Sequence, residues 1–228
     1  MQRILIADVE TTGFSSKDGI AELAFIEIGE DMNETMRFES LINPGCPMSP
    51  GASAVNGITD EDVADSPTME EILQRFDPNY FEDVFLIAHN ASFDRRFLNK
   101  FWTITGELCT LEAARQIYHG AENHKLQTLC YELDLNDITK RNRSDILAHS
   151  AMSDVEDLFA LLKRMTNDTR EILPSFHEGV YKPQKITIMP FGKHKGSKLK
   201  EVPKKYLEWV LTLDNLDNDL KNAILKLN

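Results

Sequence analysis

Cysteine is scarce in this chain. There are three in 228 residues, Cys46, Cys109 and Cys130, widely spaced and with no Cys-x-x-Cys pair. An odd, scattered set excludes a disulfide framework and a zinc ribbon, and reads as ordinary cytosolic thiols. Long apolar runs are missing too: none approaches the ~18–20 residues of a membrane span. The N-terminal stretch Met1-Gln2-Arg3-Ile4-Leu5-Ile6-Ala7-Asp8 is expected not to be a secretory leader, because its apolar run is short and acidic residues follow at once. The expected location is cytoplasmic. Gly-x-Gly-x-x-Gly and Gly-Lys-Ser/Thr are both absent, which excludes dinucleotide and Walker-type phosphate sites. No internal repeat or low-complexity tract is present.

What is present fits a folded protein. A hydrophobic fraction of 42% supports a true core, and the length suits one large domain with a small one. The formal net charge of −12 argues at face value against a polyanionic partner. Its distribution argues otherwise. Residues 180–228 hold ten lysines and five acids, a net +5, so the remainder carries −17. An acidic body is joined to a basic tail, and within ~10 Å of a surface local charge outweighs net charge.

The pattern of residues predicts α/β organisation with a mixed sheet. Residues 3–9 read as a buried strand; 20–29 and 35–42 follow as an antiparallel meander. Residues 43–51, with three prolines and two glycines, read as loop. A short helix is predicted at 59–63, with Thr59 as N-cap and Asp62 closing a capping box, and a second from Ser66. Residues 84–88 read as a buried strand, followed by helices over 92–101, 110–118, 125–134 and 150–166. The last carries an apolar stripe of Val155, Leu158, Phe159, Leu161, Leu162 and Met165. The expected domains are 1–173, a linker over 174–184, and a small basic α+β domain over 185–228. In that tail a strand at 185–189 precedes a Gly-Lys loop and helices at 203–213 and 217–227. Trp209 reads there as a core residue.

Three segments carry the chemistry: Ala7-Asp8-Val9-Glu10-Thr11-Thr12-Gly13, His89-Asn90-Ala91-Ser92-Phe93-Asp94 and His149-Ser150-Ala151-Met152-Ser153-Asp154. Side chains alternate along a strand, so Asp8 and Glu10 share a face and Val9 packs on the other. Two carboxylates there bracket a hard cation, although Asp-x-Glu alone is also a common polar strand end. Thr11, Thr12 and Gly13 let the backbone approach a ligand closely. Phe14 is either a loop anchor or a platform on which a base stacks. Asp94 opens a helix after a buried strand, where any carboxylate is favoured by the helix dipole. Asn90 is either a cap or an amide facing a ligand, and His89 reads as structural. Five residues turn a helix by ~140°, so His149 belongs on the loop before the helix and Asp154 within its first turns. Asp157, one turn on, competes with Asp154 for the role of ligand.

Order, spacing and flanks together resemble the three motifs of the DEDDh exonuclease family over residues 3–166, with His-x4-Asp marking the histidine subclass. Ile42-Asn43-Pro44 and residues 53–61 share the likeness. The resemblance implies a ribonuclease H-like fold and a 3′–5′ exonuclease of DNA repair that releases nucleoside 5′-monophosphates. It implies two Mg2+ or Mn2+ ions held by Asp8, Glu10, Asp94 and Asp154, with His149 as general base. Phe14 stands where members often wedge an apolar residue at the terminal base; Asn56 stands where a histidine is common. Phe191-Gly192-Lys193-His194-Lys195-Gly196 with Tyr206-Leu207-Glu208-Trp209 is similar to a small C-terminal domain that most members lack. Nucleic-acid contacts are thus expected from Thr11, Thr12, Gly13, Phe14, Asn90, Phe93, Lys193 and Lys195. The Gly-Lys loop reads either as a phosphate-tracking element or as a plain solvated turn. The expected partner is a DNA 3′ end, single-stranded or duplex, with no membrane; a homodimer is compatible. RNA trimming, and a non-catalytic subunit that binds 3′ ends, are the competing readings.

Overall fold

The computed structural model describes residues 2–15, 17–29, 31–118, 120–135, 150–169, 187–213, 216 and 218–227. The chain divides into two compact units, Met1–Glu178 and Gly179–Asn228.

In the first unit, β1 (Arg3–Thr11), β2 (Ile20–Ile28) and β3 (Glu34–Leu41) form the expected antiparallel meander. β4 (Val84–Ala88) and β5 (Ile104–Cys109) then run parallel to β1, in the order β3-β2-β1-β4-β5. The sheet is therefore mixed. Its two faces hold separate cores because the side chains of β1 alternate. Leu5, Ala7 and Val9 pack with Phe25, Leu86, Phe97 and Trp102 on one face. Ile6 packs on the other with Ile26, Ile87, Leu129, Val155 and Leu158. Asp8 and Glu10 continue the Ile6 row.

Helices α1 (Pro50–Asn56), α2 (Asp60–Val63), α3 (Met69–Leu73), α4 (Ala91–Leu98), α5 (Thr110–Ile117), α6 (Leu126–Glu132) and α7 (Ala151–Thr169) complete the described part of this unit. Asp62 Oδ2 accepts the Thr59 amide at 2.8 Å, as the capping box requires. Two elements differ from the reading of the sequence. Residues 50–51 are not loop but the start of α1: Ser49 Oγ accepts the Ala52 amide at 3.1 Å, and Pro50 fits the first helical turn, where its missing N–H costs nothing. β5 was not predicted.

In the second unit, α8 (Lys204–Val210) and α9 (Asn218–Leu225) fall inside the predicted helices. Met189, Leu199, Val202, Leu207, Val210, Leu220 and Ile224 make its core. The strand expected at 185–189 is reduced, among the described residues, to one bridge between Ile188 and Lys198. Trp209 corrects the sequence reading more sharply. It is 49% exposed, because Leu207 and Val210 take the buried face of α8 and each residue turns ~100° from the last.

Candidate active site

The pairing of β1 with β4 ends at Ile6↔Ile87, and its pairing with β2 slips by a residue between Glu10 and Thr11. Bulges of this kind re-aim side chains at strand ends. Beyond Ile6 the β4 side of β1 is open, and α4 covers it. Asp94 lies buried in the first turn of α4, and its Oδ1 accepts the Val9 amide at 3.3 Å. On the opposite face, α7 brings Asp154 to Asp8 and Glu10. One carboxylate oxygen from each of these three lies within 4.8 Å of the others.

Among the described residues, this cluster is short of positive charge. Burial, then the charges of Asp94, Asp154 and Glu10, hold the Asp8 carboxyl well above the usual range. Burial also raises Asp94 to about 8, against the opposing bond from Val9 N–H. Glu10 rises to about 7 through burial and the Asp154 charge, a shift tempered by a hydrogen bond from Asn56. Like charges confined this closely disfavour ionisation unless a cation joins them. The donors are carboxylate oxygens throughout, the set that Mg2+ and Mn2+ prefer. The residues fit a divalent cation.

Several neighbours hold the cluster in place. Gln127 Nε2 on α6 donates to Asp154 Oδ1 at 3.0 Å and to Asp157 Oδ2 at 2.9 Å. One amide thus fixes both acids, and it is Asp154, not Asp157, that joins Asp8 and Glu10. Glu22 stands directly opposite Glu10 on β2, and its Oε2 accepts the Ala151 amide at 3.0 Å. A carboxylate on the first amide of α7 anchors that helix by charge and hydrogen bond together. Burial raises the pKa of Glu22, and the Ala151 bond opposes the rise. Spacing in the sequence did not single out Gln127 or Glu22. For Glu22 the signal is its place opposite Glu10, which appears only once the strand register is known.

A cleft of about 180 Å³ opens beside the acids, lined by Asp8, Glu10, Asp94, Phe14, Val55 and Asn90 among others. Phe14 and Val55 are each 53% exposed at its rim. Phe93 is also in the lining, its ring 6.1 Å from that of Phe14. Val55, on α1, is a further lining residue that the sequence reading missed, because the motif flanks gave it no distinguishing chemistry. Asn90 adopts a left-handed backbone (φ 76), makes no side-chain cap and lines the cleft, its Oδ1 accepting the Ser92 hydroxyl at 3.4 Å. The Thr11 and Thr12 hydroxyls turn inward instead. Thr11 donates to Gly13 O at 2.7 Å, and Thr12 accepts the Gly19 amide at 3.1 Å. They shape the turn, in which Gly13 packs closely: a Cβ there would lie 2.7 Å from the Asp18 carboxylate, which would have to shift. Asn56 Nδ2 donates to Thr11 O at 3.3 Å and so ties α1 to the end of β1.

His89 plays the structural part expected of it. Nε2 reaches His124 O at 2.8 Å and Nδ1 reaches the Thr110 hydroxyl at 3.0 Å. Burial pushes its pKa down to about 4, so the ring is neutral. His149 lies outside the described residues. Lys193 and Lys195 belong to the second unit, both exposed, on and just after a 3-10 turn over Gly192–His194.

A mixed five-stranded sheet whose central strand ends in a carboxylate cluster, completed from two flanking helices, defines a ribonuclease H-like nuclease. Residues 5–162 match the exonuclease family of the RNase T type, and the chain belongs to it. It is an exonuclease, a hydrolase of nucleic acid. It is similar to exodeoxyribonuclease 10 of Escherichia coli K12, at 30% identity over 95% of this chain and 94% of that protein. It is also 35% identical, over 76% of its length, to the PolC-type DNA polymerase III of Bacillus cereus, of which it spans only 12%. Among solved structures, exonuclease X in complex with 5′-overhanging duplex DNA matches 77% of this chain and 98% of that one, with a TM-score of 0.63 and 28% identity. Residues 184–214 match a family described only as a candidate quorum-sensing-regulated virulence factor.

Proposed function

We propose that this chain removes nucleotides from the 3′ end of DNA, releasing nucleoside 5′-monophosphates during repair. The observation that carries the reading is the carboxylate cluster itself, starved of positive charge among the described residues and set beside an apolar-rimmed cleft at an open strand end. Asp8, Glu10, Asp94 and Asp154 would hold two divalent cations, Mg2+ or Mn2+. When bound, such ions lower the pKa of water and offset charge on the scissile phosphate and leaving oxygen. His149 takes the proton from the attacking water, a task suited to a side chain whose ordinary pKa lies near neutrality. Phe14 and Val55 receive the terminal base, and Asn90 and Phe93 line its far side. The Thr11-Thr12-Gly13 turn brings backbone close to the strand end. Gln127 and Glu22 keep Asp154 in position. Residues 1–173 form the nuclease domain in this account, and a linker over 174–184 leads to a basic domain, 185–228, in which Lys193 and Lys195 meet phosphates.

DNA as substrate draws support from the exodeoxyribonuclease relative and from the DNA complex of the structural neighbour. The test is degradation of single-stranded DNA, duplex DNA and RNA side by side, in Mg2+, in Mn2+ and in EDTA, with Asp8→Ala as control. DNA should yield mononucleotides only with a divalent cation and only with the unaltered protein. Activity that persists in EDTA or in Asp8→Ala defeats the proposal.

A further inference from the structure

The second unit carries a surface that the hydrolytic site does not use. Tyr206 is its centre. The Tyr206 ring lies 4.6 Å from that of His194 and 5.2 Å from that of Trp209. Its hydroxyl accepts the Lys193 amide at 3.2 Å, which docks the Gly-Lys loop against α8. Gly192 makes that docking feasible: its φ is +71, and a Cβ there would sit 2.2 Å from the Tyr206 hydroxyl. Three aromatic rings therefore cluster through Tyr206, and the indole among them is 49% exposed to solvent.

The surroundings are cationic. Residues 187–213 contain six lysines and two glutamates. All six lysines are exposed, and among the described residues none takes part in an ion pair. Lys205 precedes Trp209 by four positions on α8, so the two share a helix face. A solvated turn explains the lysines but not the indole, and a buried core explains neither. Aromatic side chains interleaved with exposed cations are the equipment for a strand whose bases are unstacked and whose phosphates run alongside. Inside a duplex the base faces are hidden by stacking, so away from its ends an indole finds them on an unpaired strand.

We infer that Trp209, Tyr206 and His194, with Lys193, Lys195 and Lys205, form a binding site for single-stranded polynucleotide, in which a base stacks on the Trp209 indole and flanking phosphates meet the lysines. The inference rests on the nuclease reading only for the choice of ligand.

The chain has two tryptophans, and the other, Trp102, is 3% exposed in the core of the first unit. Trp102 therefore contributes a steady background, and a change in emission on adding a strand reports on Trp209. Full-length protein in EDTA is titrated with an oligothymidylate, and with heparin as a polyanion without bases. Oligothymidylate should quench the emission and heparin should not. With affinity read from the anisotropy of a dye-labelled oligothymidylate, which needs no tryptophan, Trp209→Ala should weaken binding about tenfold or more, and Trp209→Phe, which keeps a ring, should hold affinity while losing the quench. Replacing Lys193 and Lys195 by Gln should reduce the salt slope by roughly 0.7 for each phosphate no longer neutralised. Oligouridylate in parallel distinguishes a DNA from an RNA strand, and binding of either supports the site. Equal quenching by heparin overturns the inference. So does unchanged oligothymidylate affinity in a folded Trp209→Ala protein, including the case in which that change alters self-association instead. Asp8→Ala should quench like the unaltered protein, so the surface and the hydrolytic site fail or stand separately.

Discussion

Replacing Glu10 by glutamine should stabilise the metal-free protein at alkaline pH. Glu10 moves from an ordinary 4.5 to about 7 in the folded chain, because it is buried and faces Asp154. Each tenfold change in proton affinity is worth about 1.4 kcal/mol, so holding Glu10 ionised in the fold costs about 3 kcal/mol. Between pH 4.5 and about 7 the native state binds a proton that the unfolded state has lost. Stability is thus intact below the lower value and falls as pH rises through the upper one. The Glu10→Gln side chain carries no charge at any pH and escapes the loss. At roughly 2–4 °C per kcal/mol for a domain of this size, the variant should melt roughly 6–12 °C above the unaltered protein at pH 8 in EDTA. At pH 4.5 the two should nearly coincide. Excess Mg2+ at pH 8 should raise the melting temperature of the unaltered protein and narrow the gap, because an ion that binds only the native state stabilises it. The assay is thermal unfolding by circular dichroism across pH, with and without the ion. Coincident melting curves at pH 8 in EDTA would refute the reasoning, since the acids would then not be crowded for want of a countercharge.

Two further outcomes follow from the same geometry. Phe14→Ala removes an exposed ring at the rim of the cleft and should raise KM for short single strands roughly tenfold, with kcat little changed, because one base–aromatic stack is worth ~1–3 kcal/mol; steady-state kinetics on oligonucleotides decides this. Glu22→Ala leaves the buried Ala151 amide unpaired, a loss of ~1–3 kcal/mol, and loosens the end of α7 that carries Asp154. Mn2+ affinity measured by calorimetry should weaken in Glu22→Ala and recover in large part in Glu22→Gln, which keeps an acceptor; equal affinity in all three proteins would remove Glu22 from the account.

The parts of the fold that read clearly from the sequence are those governed by local period. β1 alternates, so Asp8 and Glu10 had to share a face, and the packing of Ile6 and Val9 on opposite sides bears this out. The apolar stripe of α7 located that helix and put Asp154 in its first turn. β5 escaped because Gly106 and Glu107 interrupt any apolar alternation, as an edge strand tolerates. α1 was hidden by the density of prolines around it, although Ser49 and Pro50 together form a start signal. The anchors of the site were the least legible part. Glu22 meets Ala151 across 129 residues, and Gln127 meets Asp154 across 27. Such contacts depend on register and packing, not on spacing along the chain. Trp209 failed for a related reason: one step along α8 separates the buried Val210 from an exposed indole.

The central claim is that the acids around Asp8 cleave DNA one nucleotide at a time from the 3′ end. The most direct measurement is a time course on one single-stranded oligonucleotide labelled in separate preparations at the 3′ and the 5′ terminus, with Mg2+ present. The account predicts that the 3′ label appears at once as a mononucleotide while the 5′ label stays on a ladder of shortening strands, and that Asp8→Ala releases neither. Early release of the 5′ label, or internal fragments before any mononucleotide, would contradict it.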